Sequence, residues 1–197
     1  MKLRLLAEEI TKAETIEYLA EGVRRVVPVH LDFSVIGERY SKGNVWMCNL
    51  HHIGIKFVPP NLDEYLLILT HSPFSYRRKD ISDRFEWIGN AHEISYAGLC
   101  DNESRILIVG GDNSPSNGNV KVASHEIAHA VLGYPVTWDF ESIHCKNFIG
   151  SKRCVMNTVQ EVGQGVGRDL EELYLGFCQP CTDAMKEVEK NKFTPKS

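Results

Sequence analysis

Two histidines four residues apart, with a glutamate directly after the first, form the run His125-Glu126-Ile127-Ala128-His129. On an α-helix the fourth residue returns to nearly the same face, so His125 and His129 can aim two imidazoles at one ion. Glu126 lies about 100° round the helix from His125, placed to take a proton from a water on that ion. Alone the motif is suggestive, and its surroundings decide. The segment 118–133, GNVKVASHEIAHAVLG, reads as helix. The capping types Ser116 and Asn117 open it, Gly133 closes it, and Pro135 stands just beyond. Val120, Ala123, Ile127 and Val131 cluster in one apolar stripe, which puts the two histidines on the opposite side.

Cysteines supply the second signal. Four of the six lie in the last third, at Cys145, Cys154, Cys178 and Cys181, and His144 immediately precedes the first of them. The N-terminal MKLRLLAEEITKAE turns acidic before any apolar run develops, so no secretion signal is expected. No stretch approaches the ~18–20 apolar residues that a bilayer requires. The expected location is therefore cytoplasmic, where thiols stay reduced and clustered cysteines bind zinc more often than they form disulfides. A redox CxxC pair fits less well, because Cys178-Gln179-Pro180-Cys181 opens a terminal helix rather than following an early strand.

In this order of motifs the chain resembles the archaemetzincins, within the metzincin clan of zinc peptidases. That family combines an HExxH helix, a glycine, a third histidine followed directly by cysteine, then Cys-x-Met and a final Cys-x-x-Cys. The counterparts are HEIAH, Gly133, His144-Cys145, Cys154-Val155-Met156 and Cys178-Gln179-Pro180-Cys181. The resemblance is close over the C-terminal third and holds only in outline elsewhere. It implies a catalytic zinc on His125, His129 and His144 with Glu126 as general base. It also implies Met156 as a Met-turn beneath that zinc, and a structural zinc on Cys145, Cys154, Cys178 and Cys181. The chain departs from the family pattern in loop lengths. The pattern puts its glycine three residues after the second histidine and its third histidine three further on, whereas Gly133 comes four and His144 fifteen residues after His129. Asp139 and Glu141 in the longer loop, or Glu171 or Glu172 further on, are alternative third ligands.

The remaining residues must position these groups. A chain of 197 residues fits one structural domain with two lobes: an N-terminal lobe over 1–133 that includes the zinc helix, and a C-terminal lobe over 134–197. The net charge of −4 and the lack of long Lys/Arg blocks argue against a nucleic-acid groove. Arg77-Arg78-Lys79 reads as a solvated loop, and a monomer is expected. Apolar spacing predicts an amphipathic helix over 7–26 with Ile10, Ala13, Ile16, Leu19, Ala20 and Val23 on one stripe. Strands are predicted at 30–37, 49–57, 64–71, 93–99 and 104–111, and a closing helix at about 180–192. The order matches an α+β metzincin-like fold, in which a twisted mixed sheet backs the active-site helix and the smaller C-terminal lobe carries the Met-turn and terminal helix. His51 and His52 on a strand would alternate faces and so read as structural. Cys48 and Cys100 read as buried thiols, Trp46 and Trp87 as core or lobe-interface residues. Trp138 and Tyr134, in the long loop, could shape a pocket. Gly163, Gly165 and Gly167 follow no convincing strand and read as a flexible loop.

The expected function is a zinc metallopeptidase of EC class 3.4 acting on peptides, with two zincs per chain. In the metzincins that the resemblance implies, an edge strand above the zinc binds substrate by β-addition, which here points to Tyr96 and Ala97 on the 93–99 strand. The alternatives are a zinc-stabilised peptide-binding module without turnover and a hydrolase of a non-peptide amide.

Overall fold

The computed structural model describes residues 1–43, 48–58, 61, 63–72, 74–76, 87–89, 97–133, 144–157 and 173–193. Of these, 48, 76, 87–89, 97, 192 and 193 are described by backbone alone. Its centre is a five-stranded sheet of β1 (Lys2–Glu8), β2 (Asp32–Tyr40), β4 (Glu64–Thr70), β7 (Ala97–Asp101) and β8 (Ile106–Gly110), in the order β2-β1-β4-β8-β7. The first four run parallel and β7 pairs antiparallel to β8, which places β7 at one edge. The short strands β3 (Cys48–Asn49), β5 (Phe74–Tyr76) and β6 (Trp87–Gly89) form a separate three-stranded sheet, and β9 (Phe148–Ile149) with β10 (Lys152–Arg153) form a hairpin.

Strand side chains divide the core in two. Leu5, Leu67, Leu69, Leu107, Val109 and Cys100 join one apolar cluster with α1 (Ala13–Val26), α3 (Asn117–Leu132) and α4 (Gln179–Phe193). Their sequence neighbours Leu6, Leu66, Ile68, Ile106, Ile108 and Leu99 join a second cluster with Leu50 and Phe74. Alternate residues therefore point to opposite covered faces, which is why the inner strands read as continuous apolar runs rather than alternating ones. The architecture is α+β with a mixed sheet backing the motif helix.

Two predicted elements require correction. The helix predicted over 7–26 begins only at Ala13, because residues 2–8 form β1, a parallel strand between β2 and β4. Leu3, Leu5, Leu6 and Ala7 are buried on both faces there, and so short a run shows no period that distinguishes strand from helix. Ile10, expected on the helix stripe, lies before the helix and is 57% exposed. The strand predicted at 49–57 is instead a single helical turn, α2 (Leu50–Gly54), whose N-terminus is capped by Asn49 accepting from the His51 N–H at 3.0 Å. His51 and His52 therefore sit one after the other on a helix and do not alternate across a strand. The 93–99 strand is seen only from Ala97 onward; Tyr96 lies outside the described residues. Among the described residues, no helix is long and apolar enough to cross a membrane.

Candidate metal centres and active site

Helix α3 carries the motif and is anchored at both ends. The Ser116 side chain accepts from the Gly118 N–H at 3.0 Å, and Gly133 takes φ +73°, a left-handed value that favours glycine, while its N–H donates to the His129 carbonyl. Nearly the whole helix is buried, so Val120, Ala123, Ile127 and Val131 enter the core while Glu126 and His129 are also enclosed.

The three histidines converge. His125 Nε2 lies 2.9 Å from His129 Nε2 and 3.2 Å from His144 Nε2. Two nitrogens bound to one tetrahedral zinc at about 2.0–2.1 Å would stand about 3.3 Å apart, so the separations fit a shared ion. The Val155 carbonyl can only accept, so His125 Nδ1 donates to it at 2.8 Å, which leaves Nε2 as a lone pair facing the other two rings. Burial, then the nearby His144, lower the His125 pKa to about 4 despite the Val155 bond. Burial, then His125 and His144, lower that of His129 to about 2. Both rings are thus held neutral, the form that ligates metal.

Glu126 is buried between α3 and β7, and burial pushes its carboxyl up to about 8. Its side chain rests against Gly98: a Cβ built there would come within 2.9 Å of Glu126 Cγ and of its Cδ.

The four C-terminal cysteines form a second cluster whose sulfurs lie within 4.8 Å of one another. Cys145 Sγ is 3.5 Å from Cys178 Sγ, and Cys154 Sγ is 3.9 Å from Cys181 Sγ. Four thiolates on a tetrahedral zinc at about 2.3 Å would stand about 3.8 Å apart, so this donor set also fits. A thiol–thiolate bond from Cys181 holds Cys154 down at about 5 and pushes Cys181 up. Burial raises Cys145 to about 11. A dication among the four sulfurs would make more than one thiolate tolerable. Backbone amides already face the sulfurs: Cys178 N–H donates to Cys154 at 3.3 Å and Asn147 N–H to Cys145 at 3.3 Å.

One turn joins the two clusters. Cys154 supplies a sulfur, the Val155 carbonyl holds His125, and the Met156 carbonyl accepts from the Cys145 N–H at 3.0 Å, next to His144. Met156 itself is buried. The structure thus gathers His125, His129 and His144 in one group and the four cysteines in another. Asp139, Glu141, Glu171, Glu172, Tyr134 and Trp138 lie outside the described residues, as do Trp46, the side chain of Trp87 and the three glycines at 163, 165 and 167. Cys100 is buried, as expected, and the Cys48 side chain is not described. His51 and His52 join no metal-ligating group among the described residues.

Sequence reasoning missed three contributors. Gly98 sat unremarked inside a strand pattern, although a strand glycine signals a close approach. The Val155 carbonyl is a backbone group with no signature of its own. Asn102, in the turn after β7, donates to the His129 carbonyl at 3.3 Å and accepts from Tyr65 Oη at 3.0 Å, and only the folded register brings these together.

The fold is α+β: a mixed sheet backs a histidine-bearing helix, and a cysteine-rich C-terminal segment lies against the same helix. Archaemetzincin from Archaeoglobus fulgidus, solved with malonate, shares it at TM-score 0.57 and 18% identity, over 93% of this chain and 99% of that one. A zinc-dependent peptidase from Methanocorpusculum labreanum aligns over the same shares at TM-score 0.49 and 16% identity. The chain thus has an archaemetzincin-like fold. No protein-family model and no curated protein matches it.

Proposed function

We propose that this protein is a zinc-dependent peptidase of the metzincin type. The observation that carries the reading is the convergence of three imidazole nitrogens beside a buried glutamate on the same helix. The archaemetzincin-like fold and the description of its neighbours as an archaemetzincin and a zinc-dependent peptidase support it.

In this reading His125, His129 and His144 hold the catalytic zinc, and Cys145, Cys154, Cys178 and Cys181 hold a structural one. When bound, such a zinc would supply Lewis-acid chemistry that acidifies a water and polarises a carbonyl. Glu126 is the general base and acid: its carboxylate would accept a proton from the attacking water, and its carboxyl would return that proton to the departing amine. The enclosed position that raises the Glu126 carboxyl to about 8 favours the proton-carrying half of this cycle. Val155 fixes the His125 ring through its carbonyl, and Met156 lies buried in the same turn. The peptide adds as a further strand to the open edge at β7, with Tyr96 and Ala97 in contact with it.

A peptide-library digest tests the proposal. The zinc-loaded protein cleaves a subset of peptides, and Glu126→Gln loses about 10²–10⁴-fold of that rate while retaining its zinc. No cleavage by either protein would overturn the peptidase reading in favour of a zinc-stabilised binding module.

A further inference from the structure

Gly98 is a place where the sheet meets the glutamate of the motif. It lies on β7, whose next residue on the same face, Cys100, joins the core cluster shared with α3. Gly98 therefore faces the motif helix, and Glu126 rests directly on its backbone. A Cβ there would come within 2.9 Å of both Cγ and Cδ of Glu126 and would approach Oε1 more closely still. Separations under 3.0 Å are ones that real Cβ atoms do not sustain, so one partner must move. Backbone conformation is not what calls for glycine: the positive-φ glycines are Gly43, Gly133 and Gly150, and Gly98 is not among them. The requirement is for space, and the group that fills the space is the Glu126 carboxylate.

We propose that Gly98 is a positioning residue for Glu126: its missing side chain forms the seat that fixes where the carboxylate lies relative to the three histidines. The sheet supplies this seat because β7 is tied to α3 a second time. At the end of the strand, Asn102 donates to the His129 carbonyl. A strand held at Asn102 and open at Gly98 sets the register between the edge of the sheet and the helix that carries Glu126. Any larger residue at 98 turns the carboxylate away while leaving the three imidazoles, which approach one another from α3 and from residue 144, in place. The proposal rests on the reading of Glu126 as general base, and its test therefore has an arm that does not depend on catalysis.

That arm is a thermal double-mutant cycle on the zinc-loaded full chain, with Gly98→Ala made in the native background and in Glu126→Ala. The added methyl strikes Glu126 only where Glu126 is long. Gly98→Ala should lower Tm by roughly 3–10 °C in the native background and by little in the Glu126→Ala background. The second arm compares zinc content, kcat and KM. Gly98→Ala should keep its zinc and its KM within about twofold and lose about ten- to a hundredfold in kcat, as a misplaced base does. Gly98→Ser should behave like Gly98→Ala, since any Cβ meets the same atoms. Equal Tm losses in both backgrounds would overturn the proposal, because the glycine would then answer to something other than Glu126. Thermal coupling together with a native kcat in Gly98→Ala would also overturn it, since the carboxylate would work equally well from elsewhere. Thermal coupling in a chain that cleaves no peptide supports the seat and overturns the peptidase reading instead.

Discussion

His125 has its two ring nitrogens committed to different tasks: Nδ1 to the Val155 carbonyl and Nε2 to the space shared with His129 and His144. That division turns a helix histidine into an oriented ligand, and the backbone of His129 is braced from the sheet. The His129 carbonyl receives Asn102, whose amide oxygen in turn accepts from Tyr65. Asn102→Ala removes both bonds at once and leaves a half-buried tyrosine hydroxyl without that acceptor. Chemical denaturation should show a loss of about 1–3 kcal/mol, and zinc should leave the histidine site faster. An unchanged stability and zinc off-rate would mean that Asn102 does not brace His129. At this scale the motif was legible because HEIAH has a period that a helix converts directly into geometry. Gly98 and the Val155 carbonyl were not, since their importance lies in what the fold brings against them.

The turn of residues 154–157 is the element on which both clusters depend. It contributes the Cys154 sulfur and the carbonyls that hold His125 and Cys145, while Cys145 N–H ties residue 144 to the same turn. Zinc on the four sulfurs would therefore fix the backbone that presents His144, fifteen residues beyond His129. Cys145→Ser or Cys181→Ser should weaken catalytic zinc retention and activity together, and should lower Tm because structural zinc contributes folding free energy. If Cys181→Ser lowered Tm while the folded fraction kept its specific activity and its histidine-bound zinc, the two centres would be independent. A second element-scale prediction concerns the open edge. Ala97→Pro removes one backbone donor from β7 and should raise KM several-fold with kcat nearly intact, as expected where strand pairing binds substrate. A folded variant with native KM would place the substrate elsewhere. The terminal helix and the motif helix were readable from caps and periodicity. The strand β1 and the turn α2 were not, because a short apolar run fits either form until its neighbours are known.

Across the whole molecule the sequence order of elements translates into layers. The apolar strands β1, β4 and β8 form the buried middle of the sheet, the motif helix α3 covers one face, and β7 closes the edge beside Glu126. The order of helix, strands and motif helix was foreseeable from apolar runs and caps, and the mixed sheet backing the motif helix from the family resemblance. The separate three-stranded sheet was not, since its strands are two or three residues long and have too few positions to show a period. The proposed function requires that this scaffold hold two distinct zincs, with catalysis at the histidine one. Zinc analysis of the native chain, His144→Ala and Cys178→Ser after dialysis against a weak chelator, paired with peptide cleavage, tests it most directly. Two zincs are expected in the native chain, and one zinc with no cleavage in His144→Ala. Loss of the thiolate-held zinc is expected in Cys178→Ser. A single zinc unaffected by Cys178→Ser, or full cleavage by His144→Ala, would contradict it.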